Sequence, residues 1–450
     1  MTPVRAQAAS QPFKQGFACL LMRFAGGTLA LAAPACGQTP SAATPLHALA
    51  TLPATPQGQQ WAFLDTLVDD KRLVLFGESG HGMQQALVLR NQVFEHLVQT
   101  HGFTAIALET GFEDGMEVND YVSGKRERDD TTVAKVFSFM SPRRWDANRQ
   151  LIEWMRDYNA RVAPAKALRF YGIEMLGNAR YVSGADRSQV RRSADAALAY
   201  LDRVEPATGE AWRQRMEPLL AALARQRYAD IHATLRNANT RAMAALVTLF
   251  EQRQQDWVAK TSPQVFQRAY RNALNARNLD ADLRANGWWA GADPATRQRD
   301  LDMRDKSMAE NVEWALAQEG PQGRVLVFAA FKHAARVPRT SHRASDKGFA
   351  PMGNRLQTRF KQDVAVIGMV AAHEASEFHQ GSGLATFINA GPADVFAVNF
   401  RELASLPEAK AWWQASCTFG DCQAPLTGAA DAVIFVKTPL AAIGATPGSN

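Results

Sequence analysis

Cysteine is scarce in this chain, with four in 450 residues. Cys19, Cys36, Cys417 and Cys422 have the spacing of no common zinc site. Long apolar runs are equally rare. Beyond the first 36 residues no stretch is long enough to cross a bilayer, which leaves a membrane contact only through an anchor at the beginning of the chain. The net charge of +6 is carried mostly by Arg- and Gln-rich helical sequence. Basic runs interleaved with aromatics are missing, so nucleic acid is excluded as a partner. There is no helical His-Glu-x-x-His zinc motif, no phosphate-binding glycine loop ending in Lys-Ser or Lys-Thr, no dinucleotide fingerprint and no internal repeat.

What is present is the composition of a soluble globular protein, 46% hydrophobic and 21% charged, long enough for a large core. Short β-branched runs recur at Leu73–Phe76, Ala105–Leu108, Leu168–Ile173, Val325–Phe328, Val364–Ile367, Val395–Val398 and Ala432–Val436. Helical patterns separate most of them. The alternation predicts an α/β fold: a mainly parallel central sheet with helices on both faces. From about 188 to 318 no strand is expected, and the Ala-, Arg-, Gln- and Leu-rich periodicity reads as a large helical insertion or cap on a domain spanning 60–450. Trp288 and Trp289, in a glycine-flanked loop of that insertion, are candidates for a cap edge facing a substrate cleft; the alternative is packing between cap and body.

The first residues carry an export pattern. Met22-Arg23 precedes a short apolar core and the small residues Ala32-Ala33-Pro34-Ala35. This describes a secretory signal over 1–36, with Met22 as an alternative start. Cys36 follows directly, as at a bacterial lipoprotein cleavage site, so lipidation at Cys36 stands beside simple cleavage after Ala35. Residues 37–59, rich in Thr, Ala, Pro and Gln, read as a tether. The expected location is the periplasm or the envelope surface. An oxidising compartment would allow a disulfide between Cys417 and Cys422, against the alternative of two free thiols.

The densest chemistry follows the first run: Gly77-Glu78-Ser79-Gly80-His81-Gly82. Open α/β sheets put their sites where strand gives way to turn and helix. A Glu and a His three residues apart in such a turn can hydrogen-bond and move a proton near neutral pH. Ser79 lacks the last glycine of a nucleophile elbow, so His81 as base outranks Ser79 as nucleophile. In the next helix, about Gln84 to Thr100, Arg90 shares the stripe of Ala86, Val93, Phe94 and Leu97. A cation on a buried face needs partners, and the expected ones are Glu78 and Glu109, the latter ending the next run, which as a neighbouring parallel strand would bring both to one edge. Glu174 and His333 also close apolar runs, so two His, three Glu and an Arg are expected at one sheet edge, with His333 a further catalytic candidate and Glu174 a candidate substrate contact. His96 and His101, on or just after a helix, read as surface or packing residues, as do His373 and His379.

These residues resemble the erythromycin esterase family. Its hallmark is a strand, Gly-Glu-x-x-His-Gly, an Arg on the following helix and a Glu ending the next strand, matched here by Glu78, His81, Arg90 and Glu109. Trp154-Met155-Arg156-Asp157-Tyr158-Asn159, Tyr171-Gly172-Ile173-Glu174 and Arg304-Asp305-Lys306-Ser307-Met308-Ala309-Glu310-Asn311 also match, as do Met352-Gly353 and Ile367-Gly368.

The resemblance implies hydrolysis of an ester or lactone by histidine-activated water, without a cofactor. His81 would be the base, Glu78 and Glu109 would tune it, and Arg90 would hold the carboxylates or bind substrate oxygen. Three positions depart from the family pattern. Ala329-Ala330-Phe331-Lys332-His333 stands where Ala-His-Asn-x-His is usual, Glu174 replaces an Asp, and Gln85 replaces a Glu. The first departure argues against a macrolide substrate, and Lys332 is the candidate replacement cation. Two alternatives stay open: a hydrolase using a divalent metal on Glu78, His81, Glu109 and His333, and a member that binds a ligand without turnover.

Overall fold

The computed structural model describes residues 47–48, 58–81, 83–127, 130–136, 146–175, 190–285, 293–337, 349–372, 384–402, 418–419 and 424–437. Cys36, Cys417, Cys422, Trp288 and Trp289 lie outside them, as do the 1–36 segment, nearly all of the tether and Gly82. The export pattern, the disulfide and the aromatic cap edge therefore have no structural counterpart to report.

All seven apolar runs are strands. They form β2 (Leu73–Glu78), β3 (Ala105–Gly111), β4 (Arg169–Glu174), β5 (Val325–Ala330), β6 (Val364–Ala371), β7 (Val395–Asn399) and β10 (Ala432–Val436). A two-residue strand β1 (His47–Ala48) sits at one edge, and β8 (Thr418–Phe419) with β9 (Ala424–Pro425) makes a separate hairpin. The sheet order is β1-β7-β10-β6-β2-β5-β3-β4. The β10–β6–β2–β5–β3–β4 portion is parallel, and β7 lies antiparallel to β10 and to β1.

Successive side chains of a strand point to opposite faces, and β2 shows the consequence: Val74 and Phe76 join one buried layer, Leu73 and Leu75 the other. Helices cover both faces, so every residue of β2, β3 and β5 is buried and the runs are continuously apolar. One layer is built by α1 (Ala62–Val68), α2 (Gln84–His101) and α5 (Asp146–Asn159). α3 (Phe112–Val122), which follows β3, contributes to both layers, and α4 (Asp130–Lys135) packs beside it.

Between β4 and β5 the described residues are helical, as the missing β-runs predict: α6 (Arg192–Val204), α7 (Pro206–Arg225), α8 (Ala233–Gln252), α9 (Gln254–Lys260), α10 (Pro263–Ala285) and α11 (Pro294–Gln318). The first five share a core of their own around Tyr200, Phe250, Trp257 and Phe266. α11 does something else. Its stripe Met308, Ala309, Val312, Ala315 and Leu316 packs into the second layer beneath the sheet. Helical spacing places Arg304 and Asp305 one turn earlier on that stripe, pointing toward the ends of the strands. α12 (Phe331–Ala334) and α13 (Met352–Phe360) also pack into this layer, as do the short helices Leu384–Ala390 and Leu426–Ala429.

The sheet order corrects one expectation. β2 and β3 are not neighbours, because β5 runs between them in register, with Glu78 opposite Ala330 and Leu108 opposite Phe328. Glu78 and Glu109 still emerge at one edge, but the start of α12 lies between their strands. The β3–β4 pairing shifts register between Leu108 and Gly111, the stretch of β3 that carries Glu109. Irregularities of this kind re-aim a side chain at a strand end.

Candidate active site

Glu78 closes β2 and is fully buried. Its Oε1 lies 2.7 Å from Nδ1 of His81, whose side chain is 29% exposed. Glu78 Oε2 finds no hydrogen-bond donor among the described residues. Burial pushes the Glu78 carboxyl pKa up, against the hydrogen bond and charge of His81. Burial also opposes a charge on His81. Here the Glu78 hydrogen bond and the fields of Glu109 and Glu78 outweigh it, and the imidazole pKa is raised. With Glu78 ionised, Nδ1 carries the ring proton and Nε2 is the basic nitrogen. Ser79 Oγ lies 3.9 Å from Sδ of Met83 and has no base beside it among the described residues.

Behind this pair is a buried ion cluster centred on Arg304. Its Nη2 is 2.5 Å from Oε1 of Glu109 and 2.5 Å from Oε1 of Glu174, and its Nη1 is 2.6 Å from Nε2 of His333. Glu109 Oε2 accepts the Ala330 N–H at 2.8 Å. Burial works against the Glu109 charge, but Arg304 and that N–H hold its carboxyl well below the usual range. His333 is fully buried; its Nδ1 lies 2.9 Å from Asp305 Oδ1, which also accepts the Met352 N–H at 2.8 Å. Burial and the Arg304 charge keep the imidazole neutral by lowering its pKa well below the ordinary value.

Several site expectations change. Arg90 is fully buried, yet it does not ion-pair with Glu78 or Glu109. Its guanidinium donates to Asn91 Oδ1 at 2.8 and 3.0 Å and to Asn148 Oδ1 at 2.9 Å, and its Cζ stands 5.2 Å from the centroid of the Phe328 ring. Burial pushes its pKa down to about 9, with Glu78 opposing. The side-chain amides of Asn91 and Asn148 take the place of the expected carboxylates. Glu174, read as a substrate contact, is 3% exposed and serves as a counter-charge to Arg304. His333, read as catalytic, is sequestered by Arg304 and Asp305. Lys332 is exposed, and its charge is felt by His81, Asp305 and His333.

The metal alternative does not fit these side chains. Arg304 already occupies Glu109 Oε1 and His333 Nε2, two of the donor atoms a divalent ion would need. A guanidinium cannot vacate that place without leaving a buried charge uncompensated.

A profile of the erythromycin esterase family matches residues 98–405. The chain belongs to the erythromycin esterase family. Erythromycin esterase type II of Escherichia coli is 23% identical over 314 residues, 68% of this chain and 71% of that protein. Among solved structures, an erythromycin esterase mutant in its open conformation has a TM-score of 0.66 at 15% identity, covering 86% of this chain and 96% of the other. A Bacillus cereus protein gives 0.67 at 15% identity over 88% and 96%, and a succinoglycan biosynthesis protein 0.64 at 16% over 87% and 94%. At those identities the structures attest the α/β fold that this family member shares with them. The profile begins inside α2, after the Gly77–Gly82 turn, so the family assignment and the His81 pair are independent observations.

The departures from the family pattern have a structural setting in this esterase-family chain. Phe331, where Asn is usual, lays its ring over two glycines. A Cβ on Gly77 would fall 2.6 Å from Phe331 Cα, and one on Gly368 2.3 Å from Phe331 Cζ. Sequence reasoning missed Arg304 and Asp305 as site residues. Their signal was available: both lie in the Arg-Asp-Lys-Ser-Met-Ala-Glu-Asn motif, on the apolar stripe of α11.

Proposed function

We propose that this hydrolase cleaves a carboxylic ester or lactone, with His81 as general base for water. The observation that carries the reading is the 2.7 Å contact between His81 and buried Glu78 at the carboxyl end of β2. Nε2 takes a proton as the water oxygen bonds to the acyl carbon. The tetrahedral oxyanion then collapses, the C–O bond to the alcohol breaks, and the imidazolium returns its proton to the leaving oxygen. Glu78 orients the ring and steadies its cationic form. Glu109, kept ionised by Arg304, adds to that field. Lys332, exposed and felt electrostatically at His81, is the candidate for the developing negative charge. Arg304 positions the cluster through Glu109, Glu174 and His333. The lost histidine at Ala330 favours a substrate other than a macrolide.

A panel of esters and lactones, one macrolide included, tests this by acid release from the wild type and His81→Ala. The expected loss in kcat is about 10²–10⁴-fold, with hydrolysis surviving chelation. If no member is cleaved, or His81→Ala keeps full activity, the assignment is wrong. Export belongs to the same proposal: a signal over 1–36, lipidation at Cys36 or cleavage after Ala35, and a Cys417–Cys422 disulfide. The intact mass of protein recovered from the envelope, with thiol titration, tests each.

A further inference from the structure

On the far side of the molecule's chemistry, α1 and the last turn of α2 bring together Asp65, His96 and His101. Oδ1 of Asp65 lies 2.7 Å from Nε2 of His96 and 2.8 Å from Nε2 of His101, and the two rings meet edge to face at 5.6 Å. Both histidine side chains are nearly buried, while Asp65 is 39% exposed and opens the group to solvent. The three donor atoms lie within 4.8 Å of one another.

We propose that Asp65, His96 and His101 form a binding site for a divalent transition-metal ion of the zinc type. The argument turns on the other nitrogen of each ring. His101 Nδ1 faces Asp69 Oδ1 at 3.6 Å, and His96 Nδ1 faces Thr100 Oγ1 at 3.5 Å. In a neutral ring whose single proton sits on Nε2 for Asp65, His101 turns a lone pair toward the Asp69 carboxylate, which is repulsive. If Nδ1 carries the proton instead, each ring points an N–H at an oxygen, and both Nε2 lone pairs converge beside the carboxylate. That is the outer arrangement metal-ligating histidines show. The tautomer shift moves one proton within each neutral ring and releases none.

Two nitrogens and one oxygen, with a fourth place left to solvent, is a borderline-soft tetrahedral donor set. Metal–ligand bonds of about 2.0–2.1 Å separate tetrahedral ligand atoms by roughly 3.3 Å, so Asp65 must withdraw by about half an ångström. It has the exposure to do so. The backbone around the site is anchored: Gly102, at φ 67°, closes α2, and the Arg324 guanidinium donates to the His101 carbonyl at 3.0 Å. The C-terminal carbonyls of α2 add a field that favours a cation there. A bound ion would clamp α1 to α2, away from the Glu78–His81 pair.

The test uses the full untagged chain, stripped with a chelator and desalted. Zn(II) is titrated by calorimetry, and Co(II) by the visible absorption of a tetrahedral centre. One saturable site per chain is expected. Asp65→Asn and His101→Gln should each weaken it by more than about tenfold, whereas His101→Cys should keep zinc, and so should His81→Ala. Zinc should also raise the melting temperature of the wild type but not of His101→Gln. The proposal fails if no saturable site appears, if both Asp65→Asn and His101→Gln bind as the wild type does, or if binding disappears in His81→Ala. The zinc retained by His101→Cys separates a lost ligand from a lost fold.

Discussion

Arg304 Nη1 stands 2.6 Å from His333 Nε2, and the contact fixes the imidazole's state. A guanidinium only donates, so Nε2 must carry the lone pair and Nδ1 the proton it gives to Asp305. His333 therefore cannot take a proton from water without expelling Arg304. Of the two histidines at the strand ends, His81 alone is both basic and partly exposed.

Arg304→Met should destabilise the protein by about 3–5 kcal/mol, because it strips Glu109 and Glu174 of their buried cation. Arg90→Met should cost well under that, since the partners it abandons are amides and a carbonyl. Denaturant melts of both variants measure the difference. Equal costs would mean that the Arg304 cluster carries no special weight.

The pH profile should report His81. A base acts in its neutral form, and the His81 pKa is raised, so kcat/KM should fall on the acid side with a midpoint above about 6.5. Glu78→Gln removes the anion that stabilises the imidazolium. The midpoint should then move to lower pH while the rate above it drops. A profile unmoved by Glu78→Gln would detach the acid limb from His81.

Acid should act on Glu109. Its folded pKa is depressed, so its contribution to stability is present above about pH 4.3, the unfolded value, and is lost as pH falls toward the folded one. Urea melts across that window should show a steeper loss for the wild type than for Glu109→Gln. Parallel slopes would contradict the ion cluster.

Phe331 and Gly368 should be coupled. A Cβ at Gly368 would stand 2.3 Å from the ring's Cζ, so Gly368→Ala should cost about 1–3 kcal/mol by overpacking. In a Phe331→Ala background that cost should nearly vanish, giving a double-mutant coupling of about 1 kcal/mol or more. The same packing bears on restoring the family pattern. Ala330→His with Phe331→Asn removes a ring that is 2% exposed, and is expected to lose stability before it gains a macrolide.

Much of the fold was legible. Fully buried strands must be runs of apolar residues, so all seven could be read, and the gap between 188 and 318 could only be helical. Glu78, His81, Glu109, Glu174 and His333 were legible as strand-end residues for the same reason. Arg304 was not, though it sits in a recognised motif. A charged residue inside a helical stripe looks the same whether it reaches solvent or a cluster of glutamates, and its partner Glu109 is 195 positions away.

Which segments are strands, which residues end them and the local Glu78–His81 pair all follow from the order of residues, because periodicity and a three-residue turn are short-range properties. Long-range packing sets the rest: β5 enters between β2 and β3, Arg90 rests on amides while Arg304 takes the glutamates, and His333 is held neutral. Those outcomes depend on strand order and on which helix reaches the sheet edge. A buried charge takes whichever polar or charged partner the fold brings within about 3 Å, and no local pattern records which one that will be.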